Sequence, residues 1–334
     1  MGRAVRVLRL RSFAKVNLGL EVLGTRADGY HELRTIFQTI SLHDDLELRP
    51  HASAIEVRCD HPEVPTDRTN LAHRAASVLR RFAGVAKGVT ITITKRIPVG
   101  GGLGGGSSNA ASVLMGLDRL WRLGLGPARL RPLARRLGAD VPYFLTGGTA
   151  LGLGRGDEVY PLLRQVRAHV VVVDPGRPLS TAAVFRRLDQ GLTPRGNANN
   201  ILRFVSSPLD EQGEAFSGLS NDLEPAALEE DPGLGPVARD IRGILLKEGA
   251  IFASLSGSGA AFLGVFSDAG GAQGARSALV ARGFRAVRVQ TLSQDRYRRL
   301  LSQPPSARRH RSGASQGRSG HRGDHGRQGH SRRR

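Results

Sequence analysis

The strongest chemical signal in the chain is the run Pro98-Val99-Gly100-Gly101-Gly102-Leu103-Gly104-Gly105-Gly106-Ser107-Ser108-Asn109. Glycines on either side of one leucine leave few side chains in the way, so many backbone N–H groups can approach one ligand. The run lies between a β-type stretch at 89–97 and a helical pattern at 110–120. A helix starting there turns its positive end toward the loop, with Ser107, Ser108 and Asn109 as N-cap candidates. Anions, above all phosphates, bind where such a loop meets such a helix. A flexible Gly/Ser linker shares the composition but is not usually clamped between a strand and an apolar helix. A Walker A loop would end in Gly-Lys-Ser/Thr, and no lysine stands here. The pattern G-x-G-x-x-G matches from Gly100 to Gly105, but Asp118, near the spacing a dinucleotide fold wants, lies inside a helical pattern.

Phosphoryl transfer also needs a placed nucleophile, a proton acceptor and positive charge near the phosphates. Lys15 and Asn17 share one face of a strand pattern, while Ala14, Val16 and Leu18 take the other. An exposed strand face would read the same way. The chain has only four lysines among 49 basic residues, yet Lys15 is one and Lys95, just before the glycine run, is another. Asp140 follows a helical pattern within Gly138-Ala139-Asp140-Val141-Pro142-Tyr143-Phe144. An unpaired carboxylate among apolar residues is costly, so a cationic partner is expected, and Lys15 is the candidate. A cap or turn residue is the plain alternative.

Elements must position these groups. Apolar runs or alternation predict strands at 5–10, 14–23, 33–42, 55–58 and 89–97, with a turn at Ala27-Asp28-Gly29. Helical spacing covers 69–82, 110–120 and 128–137, the last opened by Pro127. Beyond 149 the pattern weakens. A second half then reads strand 170–173, helix 181–188, a polar stretch to 221, and helices 223–230 and 237–248. Strands at 251–255, 261–266 and 286–291 and a helix at 273–282 complete an α/β sandwich.

Residues 98–111 resemble the phosphate loop of the galactokinase, homoserine kinase, mevalonate kinase and phosphomevalonate kinase (GHMP) superfamily, Pro-x-Gly-x-Gly-Leu-Gly-x-Ser-Ser-Ala. One extra glycine precedes the serines and Asn109 precedes the alanines. This variant is similar to the branch that acts on 4-diphosphocytidyl-2-C-methyl-D-erythritol. So are Ala14-Lys15-Val16-Asn17-Leu18, Gly138-Ala139-Asp140-Val141-Pro142 and Arg26-Ala27-Asp28-Gly29-Tyr30-His31-Glu32-Leu33. The resemblance covers residues 10–295. It implies the two-domain GHMP kinase fold, of α+β and α/β type. A ribosomal-protein-S5-domain-2-like domain would occupy 1–160 and a ferredoxin-like α/β sandwich 161–300.

The resemblance also implies roles. Lys15 and Asp140 would be the catalytic pair. The loop from Pro98 to Ser108 would hold ATP with Mg²⁺, aided by Asn70 and Lys95. A Tyr-His pair after a tight turn suits a pyrimidine base, offering a stacking face and a two-sided hydrogen-bonding ring. Tyr30 and His31 would read cytosine, with Phe185 as the second stacking face and Asn17 nearby. Ser256-Gly257-Ser258-Gly259-Ala260-Ala261-Phe262 resembles the third superfamily motif, with Ser where Thr is frequent; Gly257, Ser258 and Gly259 would close over the substrate. The implied reaction phosphorylates the 2-hydroxyl of the cytidylyl alcohol, in the non-mevalonate route to isoprenoid precursors. A homoserine- or mevalonate-type kinase is the alternative, against which Asp28-Gly29-Tyr30-His31 argues. A nucleotide sensor without catalysis is another, against which the presence of both Lys15 and Asp140 argues.

Composition bounds the remaining classes. At 334 residues the chain has room for two domains. No apolar run has the length to span a membrane, and Cys59 is alone, so neither a disulfide framework nor a cysteine metal cluster is expected. A reducing cytoplasm fits these features. The net charge of +20 suggests nucleic acid. However, residues 303–334 hold nine arginines against Asp324, so they carry +8 and leave +12 for the rest. Built from Gly, Ser, Arg, His and Gln, this tail is expected to be disordered and to touch polyanions only non-specifically. A small-molecule partner, no membrane, and a monomer or homodimer are the expectations.

Overall fold

The two strands expected at 5–10 and 14–23 form a single strand in the computed structural model, which describes residues 7–191, 199–206, 216, 218–301 and 303. Strand β1 (Leu8–Thr25) pairs antiparallel with β2 (His31–His51) along its whole length, Leu8 opposite Leu48 and Thr25 opposite His31. The polar residues Arg11 and Ser12 do not end it: they pair in unbroken register with Asp45 and Asp44, and irregularities follow only at Phe13/Lys15, Asn17/Gly19 and Val22/Gly24. Strands β3 (Ile55–Cys59), β4 (Gly88–Thr94), β5 (Thr149–Leu153) and β6 (Glu158–Pro161) complete a six-stranded sheet ordered β3-β4-β2-β5-β6, with β1 on β2.

Residues 12–22 of β1 are buried without alternation. Both faces of the sheet are covered, which removes the period-2 signal. One face takes α1 (Leu71–Ala83), α2 (Gly105–Trp121) and α3 (Gly126–Leu137). Leu46, Leu48, Ile91 and Ile93 pack there with Ala75, Leu79, Leu114 and Leu117. At Gly116 a Cβ would lie 2.5 Å from Leu48, so α2 approaches the sheet as closely as glycine allows.

The other face meets a second sheet of β7 (His169–Asp174), β8 (Phe252–Leu255), β9 (Phe262–Phe266) and β10 (Arg285–Gln290), ordered β10-β7-β9-β8 and antiparallel throughout. The valines of β7 divide between two cores by alternation. Val170 and Val172 pack with Ala14, Val16 and Ile36 of the first sheet, whereas Val171 and Val173 pack with α8 (Leu234–Lys247) and α9 (Ala269–Ala281) through Ile241 and Ala275. This β-α-β-β-α-β order is the ferredoxin-like arrangement. Helices α5 (Thr181–Asp189) and α7 (Glu224–Glu230) lie near their expected places. The stretch read as polar contains α6 (Asn200–Ser206). The tail at 304–334 lies outside the described residues.

Two further helices, which periodicity did not indicate, matter to the site. Helix α4 (Tyr143–Thr146) is one turn long, too short to show a period, and α10 (Gln294–Leu301) follows the last strand. Tyr297 of α10 is buried, and its hydroxyl donates to the carbonyl of Phe144. A Cβ on Gly147, at φ +68°, would lie 2.1 Å from the Tyr297 ring. The phenol thus braces the segment that carries Asp140. Truncating it in Tyr297→Ala is expected to cost about 3–5 kcal/mol, as for other large buried aromatics, and denaturant unfolding measures this.

Candidate active site

The glycine run bends sharply before the helix begins. Gly100, Gly102 and Gly104 have φ of 72°, 71° and 69°, a region open to glycine at little cost. Gly104 is the N-cap of α2, which corrects the assignment of that place to Ser107, Ser108 and Asn109. The cause is crowding: a Cβ on Gly104 would lie 2.8 Å from Phe144 and 3.1 Å from the Lys15 side chain, so the chain must turn there without one. The three polar residues therefore sit in the first turns. Ser108 is buried, accepting the Ser12 hydroxyl at 2.7 Å, and points into the protein rather than the loop. Asn109 is buried with its Oδ1 unpaired. The first N–H groups of α2 lack intrahelical partners and face the loop.

Two clefts meet at this turn. One, of about 270 Å³, is lined by Pro98, Val99, all six glycines of the run, Leu103, Asn70, Lys95 and Asn109. The other, of about 720 Å³, is lined by Lys15, Asn17, Tyr30, His31, Asp140, Phe185, Ser107, Gly257 and Ser258. Gly102 and Gly104 line both.

At the junction the Lys15 ammonium lies 3.4 Å from Asp140 Oδ2. It also donates to Asn17 Oδ1 at 2.7 Å and stands 5.6 Å from the centre of the Phe37 ring. Lys15 is 4 % exposed, whereas the Asp140 side chain is 35 % exposed toward the cleft. The exposed-face alternative for Lys15 and Asn17 therefore does not hold. Asn17 is fixed in turn: its Nδ2 donates to Thr35 Oγ1 at 2.8 Å, and Thr35 donates to Gly19 O at 2.7 Å.

The third motif closes this corner. Gly257, at φ +62°, passes so near that a Cβ would lie 3.0 Å from Asn17 Oδ1 and 3.4 Å from Lys15 Nζ. A Cβ on Gly259 would lie 2.1 Å from Gly102 N. Asn221 clamps the motif from behind, donating to Gly257 O at 2.7 Å and Leu255 O at 3.0 Å. Ser258 donates to Thr181 Oγ1 at 2.8 Å.

At the far end of the larger cleft, Tyr30 is 56 % exposed, with the Arg155 guanidinium 4.7 Å from its ring centre. His31 stacks on Phe185 with centroids 4.9 Å apart and shares a hydrogen bond of 2.8 Å with Asp189. Phe185 thus meets the histidine directly, and Tyr30 carries an arginine.

Two residues expected near ATP have their polar atoms committed elsewhere. Asn70 caps α1: its Oδ1 accepts from Ala72 N at 2.8 Å and its Nδ2 donates to Pro65 O at 2.6 Å. Lys95 donates to Asp44 Oδ2 at 2.6 Å, and Asp44 is fully buried. Asp44 Oδ1 accepts from Arg96 N at 2.8 Å and Ile97 N at 2.9 Å, so it anchors the entry to the glycine run. Asp44 was missed, although a signal existed. It stands in the buried row of β2 with Leu46 and Leu48, where a carboxylate needs a partner. For Thr35, Asn221 and Arg155 the sequence offers no comparable signal.

Comparisons agree with this geometry. Residues 70–148 match the GHMP kinases N terminal domain and residues 194–286 the GHMP kinases C terminal domain. The 4-diphosphocytidyl-2-C-methyl-D-erythritol kinase of Gloeobacter violaceus is 42% identical over 270 residues, 79% of this chain and 87% of that protein. The chain belongs to this kinase family. The enzyme of the same name from Geobacter sp. (strain M21) is 42% identical over 287 residues, 85% of this chain and 99% of that protein. A crystal structure of a 4-(cytidine 5'-diphospho)-2C-methyl-D-erythritol kinase superposes with a TM-score of 0.68 at 36% identity, covering 85% of this chain and 99% of that one. The homoserine kinase of Cytophaga hutchinsonii, at 19% identity and a TM-score of 0.66 over 88% of this chain and 97% of its own, shares the fold. The chain is an ATP-dependent small-molecule kinase with the two-domain GHMP fold.

The buried pair behind the glycine run gives a direct test. Asp44→Ala leaves Lys95 buried without its carboxylate and is expected to cost about 3–5 kcal/mol, read by denaturant unfolding. Asp44→Ala combined with Lys95→Met should recover part of that loss.

Proposed function

We propose that this kinase transfers the γ-phosphate of ATP to the 2-hydroxyl of 4-diphosphocytidyl-2-C-methyl-D-erythritol, giving the 2-phosphate and ADP for isoprenoid precursor synthesis. The observation that carries the reading is the Lys15–Asp140 pair at 3.4 Å, set where the two clefts meet. Asp140 takes the hydroxyl proton, the oxygen forms its bond to the γ-phosphorus, and the bond to the bridging oxygen of ADP breaks. Lys15 supplies positive charge beside the carboxylate and the transferring group, and Asn17 holds its amine in line. Backbone N–H groups of Gly100 to Ser107 receive the phosphates.

Among the described residues no three His, Cys, Asp or Glu side chains converge as a metal cage. Ser107, which lines the larger cleft, would offer its hydroxyl to Mg²⁺ arriving with the nucleotide's phosphates. The ion would neutralise phosphate charge during transfer. Tyr30, His31 and Phe185 gather at the opposite end of the larger cleft, where they suit a cytosine ring. The unpaired Asn109 Oδ1 suits a hydroxyl or amino donor of the nucleotide. The chain is read as two domains meeting near residue 160, as a monomer or homodimer. Its nucleotide substrates make the cytoplasm the expected compartment. Among the described residues no helix is long and apolar enough to cross a membrane.

The deciding assay incubates the protein with ATP, Mg²⁺ and the cytidylyl alcohol and looks for phosphate on the 2-hydroxyl by phosphorus NMR. Turnover of homoserine or mevalonate instead would overturn the acceptor. Asp140→Asn is expected to lower kcat about 10²–10⁴-fold with nucleotide binding kept. Near-normal turnover in that variant would remove Asp140 from the mechanism. Tyr30→Ala should raise KM for the cytidylyl substrate more than it lowers kcat, as steady-state kinetics with varied acceptor will show.

A further inference from the structure

A third cleft, of about 880 Å³, runs along α1 and shares no lining residue with the two clefts of the active site. Arg68, His73, Arg74, Ser77, Arg80 and Arg81 line it, and none of its lining residues is an Asp or Glu. We propose that this cleft is a second anion site, which takes a small polyphosphate or a diphosphate ester.

Several charges along this cleft have no ion-pair partner within the described residues. Arg68, Arg74 and Arg81 meet no carboxylate among the described residues, whereas Arg9, Arg58 and Arg96 elsewhere on the same domain each do. The acid nearest in sequence, Asp67, is committed to its own turn, accepting from the N–H and hydroxyl of Thr69. For Arg80 and Arg81 the last turn of α1 provides a reason, since the negative end of a helix favours cations. Arg68 and Arg74 have no such reason. They flank the N-terminal turn that Asn70 caps, where the dipole opposes positive charge and no acidic residue stands within the turn.

The local field agrees. Burial holds the His73 imidazole below its ordinary range, and the charges of Arg68 and Arg80 push it the same way. Arg80 also donates to Ser53 O at 2.6 Å, which ties the β2–β3 turn to the helix and closes one side of the cleft. Guanidinium forks match phosphate oxygens in pairs, and several of them on one cleft call for several negative charges on the ligand. Ile55, Val78 and Val85 add an apolar strip that an organic ester group could cover. The volume lies within the range of small-molecule sites, and no Phe, Tyr or Trp lines the cleft to stack a nucleic-acid base.

The test uses the full chain and inorganic pyrophosphate as probe, by titration calorimetry at low and high salt. Wild type is compared with Arg68→Ala/Arg74→Ala and with Arg81→Ala. The active site and the tail contribute equally in all three, so the difference reads the cleft. The double variant is expected to lose a binding event or weaken it at least about ten-fold, with kcat on ATP unchanged and Tm equal or higher. Arg81→Ala should weaken the same event. Identical isotherms in all three proteins would overturn the proposal. So would variants that lose binding of a single-stranded oligonucleotide while pyrophosphate binding stays intact.

Discussion

The Lys15 ammonium is removed from water inside the molecule, at a cost of several kcal/mol unless its surroundings replace the lost solvation. Much of the site can be read as that replacement. The charge of Asp140, the carbonyl oxygen of Asn17 and the face of Phe37 come from three different segments. Each is secured in turn. Thr35 and the backbone of β1 hold Asn17, and a ring of hydrogen bonds among Thr39, Tyr143 and Gly148 fixes the chain after Asp140. Tyr297 then locks that chain from α10. A helix at the far end of the sequence therefore helps to fix the carboxylate that faces the ammonium.

Close approach is the second constraint, and glycine answers it. Gly102, Gly104, Gly257 and Gly259 stand where three segments converge, with hypothetical Cβ contacts at or below 3.0 Å at each. These glycines leave N–H groups bare for a ligand and also let the glycine run, the third motif and the Lys15 strand lie against one another. The glycine run on its own pointed only to a phosphate. Its contact with Gly259 ties the glycine run to the second sheet, because that residue belongs to the turn between β8 and β9.

The motifs and the alternation of elements were legible in the sequence because they rest on local rules. Val170 to Val173 reads as a strand whatever it packs against, and the loop's composition declares itself. What was not legible depends on which faces are covered. The continuous burial of β1 hid its length, the single turn of α4 has no period, and the cap position passed to Gly104 because of Phe144, a residue distant in sequence. Lys95 and Asn70, which the resemblance placed near ATP, do line the smaller cleft, and each also holds a contact within the fold, with Asp44 and Pro65. Asp44 itself could have been found, because its place in an apolar register obliges it to have a partner.

The two ends of the candidate site are built from different materials. The end proposed for the nucleotide is mostly backbone, whose N–H groups read charge and shape but little else. Backbone donors of this kind depend on the turn of the chain rather than on which side chains it carries. The end proposed for the acceptor is made of side chains on separate elements: Tyr30 and His31 at the β1–β2 turn, Arg155 beyond β5, and Phe185 and Asp189 on α5. Stacking of His31 on Phe185 and its bond to Asp189 join the first domain's hairpin to a helix that follows β7. A base bound there would contact both halves of the chain at once, while the phosphates it carries extend toward Lys15. On that proposal, recognition of the acceptor would be coupled to the packing of the two sheets.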